Sequence, residues 1–347
     1  MKKRSKGVIF MFLLLVNSVV GQTITGYIKD QNTNAPLESV SIYYDGTTIG
    51  AVSNQNGFFE ISSEVTTNAV VVISYLGYET RYLSQAELAQ TETIFLNENA
   101  ESLDEVVIEA DDWSRAKKLK IFKREFLGRG GEAQSCKILN EDDIELVYRK
   151  STNTLFAYAD VPIKVQNKYL GYIVNYNIVE FEVKFTNSLS EFPWVKSVYL
   201  AGTTNFRELN EKRVKRKYSK ARQEVYHGSV LEFMRALSQK QLAEHFYTTF
   251  KKSDNEHSDF FIPVNAYEYL DVNTLDSGMC QVKIKTDKLV IMYNQDVQSA
   301  LIPNEGFNTF YIDAYGIHTP PDQLFFSGAF GRERIAKMLP LNYNTDQ

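Results

Sequence analysis

Thr23-Ile24-Thr25-Gly26-Tyr27-Ile28-Lys29-Asp30, followed at short intervals by Val40-Ser41-Ile42-Tyr43, Ile49-Gly50-Ala51-Val52 and Phe58 to Ile61, decides the amino-terminal part of the chain. Ile24, Gly26 and Ile28 alternate with Thr25 and Tyr27, the period of a strand with one face buried. Asn54-Gln55-Asn56-Gly57 interrupts the runs with residues that tolerate the left-handed backbone of a tight reversal. Ala69 to Tyr75 is a continuous apolar run, and Thr93 to Leu96 closes the set. Evenly spaced short strands without helical periodicity between them predict a sandwich or barrel over residues 23–98.

Upstream, Lys2, Lys3, Arg4 and Lys6 precede an apolar stretch from Val8 to Val16 and then Val19-Val20-Gly21-Gln22. A basic end, a short apolar core and small residues before a cut are the features of an export leader, expected over 1–21 with cleavage after Gly21. The apolar stretch is short for a helix crossing a ~30 Å hydrocarbon core. No cysteine follows it, which disfavours a lipid anchor. Losing residues 1–21 removes four positive charges and no negative ones, taking the formal charge from −5 to −9. A mildly acidic mature chain is a poor general binder of nucleic acid. The expected location is the periplasm or the outer membrane. Cys136 and Cys280 are the two cysteines, compatible with one disulfide or with two buried thiols.

Gly26-Tyr27-Ile28-Lys29-Asp30, Ala35-Pro36-Leu37, Val40 to Tyr43, Gly46-Thr47, Gly57-Phe58-Phe59 and Ser74-Tyr75-Leu76-Gly77-Tyr78-Glu79 together resemble the carboxypeptidase regulatory-like domain. The resemblance implies a seven-stranded, transthyretin-like sandwich, of the kind found at the amino terminus of TonB-linked outer-membrane receptors and other exported envelope proteins. It supports a fold strongly and a function weakly. Glu38-Ser39 and Asn54 depart from the usual Gly-Ala and Asp. Residues Asn54 to Gly57 faintly resemble a calcium loop but lack its run of carboxylates and distal Glu. Ser102 to Ile108 resembles the segment after this domain in the TonB-linked receptors, although the remaining length cannot hold a plug and barrel.

Past a linker with a short strand (residues 99–112), residues 113–347 are expected to form an α+β domain, so the chain as a whole is mostly β with some α. Trp113, Ala116, Leu119, Phe122 and Phe126 recur at helical spacing and predict a helix from Trp113 to Leu127, ended by Gly128, Gly130 and Gly131. Its many Lys and Arg residues form a solvated face or, less simply, a surface for anionic lipid. Leu155 to Ala159, Ile163 to Val165 and Tyr172 to Phe185 are strand-like. Arg207 to Phe250 is expected to be helical, with capping boxes at Ser229–Glu232 and Ser238–Gln241. Strand-like runs follow at Gln281 to Tyr293 and Thr309 to Asp313, and Arg332 to Leu339 is expected as a short helix before Pro340. Phe126-Leu127-Gly128, Cys136 to Asn140, Asn167 to Tyr172, Tyr226 to Ser229 with Arg235 to Leu237, and Met338-Leu339-Pro340 resemble a carboxy-terminal unit of exported proteins carrying the same sandwich. No activity comes with that resemblance.

No catalytic, cofactor-binding or metal-binding residue is assigned by the sequence. His227, His245, His257 and His318 stand in no zinc-hydrolase spacing, and the zinc-bearing peptidase domain has no counterpart. There is no Gly-x-Ser-x-Gly elbow. Gly128-Arg129-Gly130-Gly131 lacks the Lys-Ser or Lys-Thr of a phosphate loop. His227 beside Ser229 could be named a dyad, but a helix-capping serine is the plainer reading. Glu141-Asp142-Asp143, Asp254, Glu256, Asp259 and Asp271 are loop acids unless two of them face each other across a site. The seven basic residues from Lys212 to Arg222 fit a solvated helix face, with Glu208, Glu211 and Glu224 alongside. The expected function is an exported envelope binding or structural protein without catalytic activity. Its expected partner is another envelope protein or a glycan, with peripheral membrane association and no nucleic acid. The alternative is a hydrolase of glycan or peptide, and a small outer-membrane barrel ranks third.

Overall fold

The computed structural model describes residues 22–65, 67–99, 113–187, 194–210, 212–253, 260–320 and 323–345. The expected leader (residues 1–21), Ser102 to Ile108, Glu211 and Asp254 to Asp259 with His257 lie outside them. Seven strands make the first unit: β1 (Gln22–Asp30), β2 (Ser41–Tyr44), β3 (Gly50–Val52), β4 (Phe58–Ser63), β5 (Val71–Ser74), β6 (Arg81–Leu83) and β7 (Thr93–Leu96), with α1 (Gln85–Gln90) before the last. They form two sheets, β4-β1-β7 and β3-β2-β5-β6, in which β1 pairs β4 antiparallel and β7 parallel. Ile24, Ile28 and Phe59 from one sheet meet Ile42, Tyr44, Val71 and Ile73 from the other, the alternation expected when each strand turns one face to a shared core. Gly57 turns with φ +72°, and Asn54 Oδ1 accepts from the amides of Asn56 and Phe58 at 2.9 and 3.1 Å. The Asn that departs from the family pattern therefore builds the turn itself.

The chain from Trp113 onward forms two more cores. The first has α2 (Arg115–Leu127), α3 (Gly131–Gln134), β8 (Cys136–Ile138), β9 (Glu145–Arg149), β10 (Thr154–Tyr158), β11 (Ile163–Asn167), β12 (Tyr172–Asn187) and β13 (Trp194–Glu208). The sheet runs β8-β11-β12-β10-β9, with β13 paired to β12 along a long hairpin. The predicted helix starts two residues late, because Ser114 caps it by accepting from the Lys117 amide at 3.3 Å. Trp113 remains outside it, stacked on Tyr148 at 3.9 Å. The buried face is Ile121, Phe122, Glu125, Phe126 and Leu127 rather than the whole predicted stripe, and Ala116 is exposed. Phe122 and Phe126 pack on Phe181 and Tyr176 of β12.

The region Arg207 to Phe250 is less helical than expected. Arg207 continues β13 opposite Ile173, and helix is confined to α4 (Arg216–Tyr226) and α5 (Val230–Ser238). Ser238 caps nothing: it ends α5, its hydroxyl donates to the Arg235 carbonyl, and Lys240 at φ +59° prevents a new helix from starting. Next come β14 (Tyr247–Lys252), β15 (Phe261–Val264), α6 (Ala266–Tyr269), β16 (Leu270–Thr274), β17 (Cys280–Ile284), β18 (Leu289–Tyr293), β19 (Val297–Pro303), β20 (Thr309–Ile312), β21 (His318–Thr319) and β22 (Leu324–Gly328). Sheets β15-β14-β18-β19-β22 and β16-β17-β20-β21 share a core with Phe233, Met234, Ala236 and Leu237 of α5. Arg332 to Leu339 forms two single 3-10 turns, Phe330–Arg332 and Ile335–Lys337, instead of one helix. Arg334 between them is extended, at φ −141°, because its guanidinium reaches back to carbonyls of this segment and of α2. Cys136 and Cys280 are free thiols, in the first and second of these cores respectively.

The sandwich is joined to both of the other cores by a polar seam. The turn after β2 lies between β13 and the carboxy-terminal segment: Gly46 donates to the Thr204 carbonyl, and Leu341 donates to Gly46, each at 2.7 Å. Phe206 donates to Thr47 at 2.9 Å, continuing a parallel bridge between Thr47 and Asn205. Asp45 accepts from the Thr204 amide at 2.6 Å. Tyr43 meets Thr203 at 3.1 Å and also accepts from the Asn177 side chain. On the other side, buried Asp313 accepts from Thr67 Oγ1 at 2.7 Å and from the amides of Asn68, Tyr315 and Ile317 at 2.9 Å each. Buried amides left without such partners would cost about 1–3 kcal/mol each.

Two predictions follow from this packing. A Cβ on Gly202, in β13 opposite Ile178, would lie under 3.0 Å from Asn177 O and from the Tyr176 ring, whereas one on Gly131 meets nothing within 4 Å. In urea unfolding, Gly202→Ala is therefore expected to lose about 1–3 kcal/mol, and Gly131→Ala to stay within about 0.5 kcal/mol of the parent. The second concerns Asp45, whose carboxyl burial pushes up from 3.8 to about 6. Between those values the folded state keeps a proton that the unfolded chain releases, so stability falls as pH rises, and the full cost is present above about 6. Asp45→Asn keeps an acceptor for Thr204 without the charge. Its melting temperature should match the parent at pH near 4 and exceed it by roughly 2–4 °C at pH near 8; a lower value at pH near 8 would refute the assignment.

Candidate functional site

The residues singled out from the sequence separate in space. Glu141 to Asp143 forms a single 3-10 turn, with Glu141 paired to Lys123 at 2.6 Å and Asp143 accepting from Asn140 at 3.0 Å. Asp271 pairs with Lys285 at 2.6 Å in another sheet. In the basic run, Arg222 is buried rather than solvated. It donates to both oxygens of Glu208 at 2.8 and 2.7 Å and to the Leu170 carbonyl at 2.8 Å, with its guanidinium over Tyr172. Lys220 faces Glu224 across one helical turn at 3.7 Å. Burial pushes the Cys136 thiol up to about 12 and raises that of Cys280, so neither is activated as a nucleophile.

His227 and Ser229 do not form a dyad. Ser229 caps α5: its Oγ accepts from the Glu232 amide at 3.1 Å and donates to the Tyr226 carbonyl at 2.7 Å. The imidazole turns to Glu232, with Nδ1 at 2.9 Å from Oε1, and His245 Nδ1 lies 3.2 Å from the same oxygen. Oε2 of Glu232 accepts from the Gly228 amide at 2.7 Å and from the Tyr247 hydroxyl at 3.2 Å. Burial, then the Glu232 charge, raises Tyr247 far above its ordinary range. Sequence spacing found the cap but could not find the pair of histidines, because the turn over residues 239–246 brings His245 back to α5 from beyond the helix.

A concavity lies where α2 ends against the 329–337 segment. Gly128 closes α2 at φ +107°, and a Cβ there would sit 3.2 Å from Arg334 Cβ, so the glycine admits the close crossing. The walls are tied by Arg334 Nε donating to the Glu125 carbonyl at 2.9 Å and by Lys337 Nζ at 3.0 Å from Glu132. They enclose a cleft of about 470 Å³, with Leu127, Ala133, Ala329 and Ala336 as its apolar lining. Five cations line it (Arg124, Arg129, Arg332, Arg334 and Lys337) against three carboxylates, Glu125, Glu132 and Glu333. Glu125 is almost fully buried and accepts from Arg124 Nε at 2.5 Å and Arg129 Nη2 at 2.8 Å. Glu333 caps the other helix, accepting from the Val230 amide at 2.9 Å, and burial pushes it up to about 7. Hydrogen bonding from its own backbone amide, with help from Lys337, holds Glu132 below the usual carboxylate range. Neither wall was recognisable from the sequence, because Gly128 to Gly131 and Arg332 to Arg334 are about 200 residues apart.

Comparison with known proteins bears on the amino-terminal unit. Residues 24–108 match the CarboxypepD_reg-like domain family, so the first unit is a domain of this kind. The TonB-dependent receptor SusC of Bacteroides thetaiotaomicron is 28% identical over 110 residues, which is 28% of this chain and 10% of the receptor. The chain thus spans about a tenth of the length of that curated relative. Two structures of a type II cohesin–X-dockerin complex from Acetivibrio cellulolyticus align locally. They show 32% identity over 18% of this chain and 44% of theirs (TM-score 0.16), and 29% over 22% and 51% (TM-score 0.17). The domain and the receptor similarity point to an envelope-associated protein.

Proposed function

We propose that this is an exported cell-envelope binding or structural protein without catalytic activity, in which the regulatory-like sandwich braces a ligand-binding α+β body. One observation carries the binding reading. The cleft between α2 and the 329–337 segment presents a surplus of cations, while each of its carboxylates is already engaged in an ion pair or a helix cap. Such an arrangement favours holding an anion over moving protons. The sandwich contributes rigidity: its seam residues Asp45, Thr47 and Thr67 spend their polar groups on the rest of the protein. The partner side is an anionic envelope component, a glycan or another envelope protein, met peripherally.

A hydrolase is the second reading, and a specific feature favours it. Glu333 and Glu132 line one cleft and are pushed in opposite directions, the pattern of an acid and a base. Fractionating the producing cells tests the first reading. The protein should leave the membranes in a high-salt wash and carry no leader by mass spectrometry. Retention until detergent is added, or recovery from cytosol with the leader intact, would overturn it. Turnover of glycan or peptide by the purified chain, lost in both Glu333→Gln and Glu132→Gln with unchanged melting temperature, would establish the hydrolase instead.

A further inference from the structure

We infer that the cleft between α2 and the 329–337 segment takes a phosphate monoester carried on a body about the size of one sugar, an inference that rests on the binding reading above. The first ground is unused donor capacity. The Arg332 side chain is exposed and has no hydrogen-bond or ion-pair partner among the described residues; only its backbone amide donates, to the Ala329 carbonyl at 3.0 Å. Arg124 spends only Nε, on Glu125, and Arg129 only Nη2. Arg334 spends Nε and Nη1 on carbonyls and leaves Nη2. Guanidinium groups therefore remain available on both walls, and their fork geometry suits oxyanions.

Charge and size narrow the class. Five cations against three carboxylates leave a surplus of two, rising to three when Glu333 carries its proton. A carboxylate brings one charge and a flat pair of oxygens, which a single guanidinium can satisfy. A phosphate monoester brings about −1.5 to −2 and three strong acceptor oxygens, able to take donors from two walls. The cleft of about 470 Å³ falls within the range of small-molecule sites, roughly 300–1,000 Å³, and exceeds what the oxyanion alone would fill. Its apolar lining from Leu127 and the alanines can carry the attached body. This is not a phosphate loop, since side chains rather than a run of backbone amides would hold the group.

Calorimetric titration of the mature chain tests the assignment. The probes are a hexose 6-phosphate, the free hexose, a hexuronate, and vesicles of phosphatidylcholine with or without phosphatidate. Saturable binding of the hexose phosphate but not of the hexose is expected, weakened about tenfold or more by Arg332→Ala, which removes a charge-assisted contact from an otherwise unengaged side chain. Binding confined to the phosphatidate vesicles, and sensitive to the same substitution, would support the same chemistry with a lipid headgroup as its source. Hexuronate binding as tight as the hexose phosphate would overturn the phosphate assignment and leave the binding reading standing. No binding of any phosphate-bearing probe, or binding that Arg332→Ala and Arg129→Ala leave unchanged, would remove the cleft as its site.

Discussion

The turn from Asp45 to Thr48 carries the architecture. Gly46 and Thr47 at its centre are buried between β13 and the carboxy-terminal segment, where water cannot satisfy their backbone, so each N–H and C=O there needs a protein partner. Gly46 supplies both: its amide binds Thr204 and its carbonyl binds Leu341, while the Asp45 side chain takes the Thr204 amide. Left-handed backbone at Gly46, φ +73°, makes that double contact feasible, and a Cβ there would run into Leu341. The sandwich thereby becomes part of the same body as the sheet beside it. A charged Asp45 is tolerated at a cost, since desolvation outweighs the hydrogen bonds it accepts.

That seam also fixes the far end of the chain. Leu341 on Gly46 and Asn342 on Thr48 anchor the residues just past the 329–337 segment. Arg235 holds the same stretch from α5 by donating to the carbonyls of Leu341 and Tyr343 at 2.7 and 2.8 Å. Asn167 donates to the Ala336 carbonyl at 3.0 Å from the first of the two later cores. The segment is thus pinned at both ends of its buried Ile335-Ala336 pair, which leaves Arg332 and Lys337 at the cleft edge. The cleft and the docking of the sandwich depend on one another through this short run.

The sandwich was legible in the sequence because its information is local. A period of two at Ile24–Ile28, a turn at Asn54–Gly57 and small residues at the reversals are each read within a window of about ten residues. The same holds for the cap at Ser229. What sequence could not show was tertiary. Arg207 reads as helical by composition, yet its backbone belongs to a ladder begun at Trp194. Arg332 to Leu339 has helix-forming residues, but the carbonyls that Arg334 satisfies draw the backbone out into extended form. Asp45, Thr47 and Asp313 look like ordinary loop residues until distant partners meet them. The candidate site was illegible for the same reason, since its two walls come from opposite ends of the second part.

Native-state hydrogen exchange on residues 22–347 tests the seam most directly, because protection reports the free energy needed to expose each amide. If the sandwich and the later cores form one body, the amides of Gly46, Thr204, Phe206 and Leu341 will exchange as slowly as those of the central strands β1 and β12. Exchange at these four positions as fast as in exposed turns, with β1 and β12 still protected, would show two independently moving parts and contradict the account.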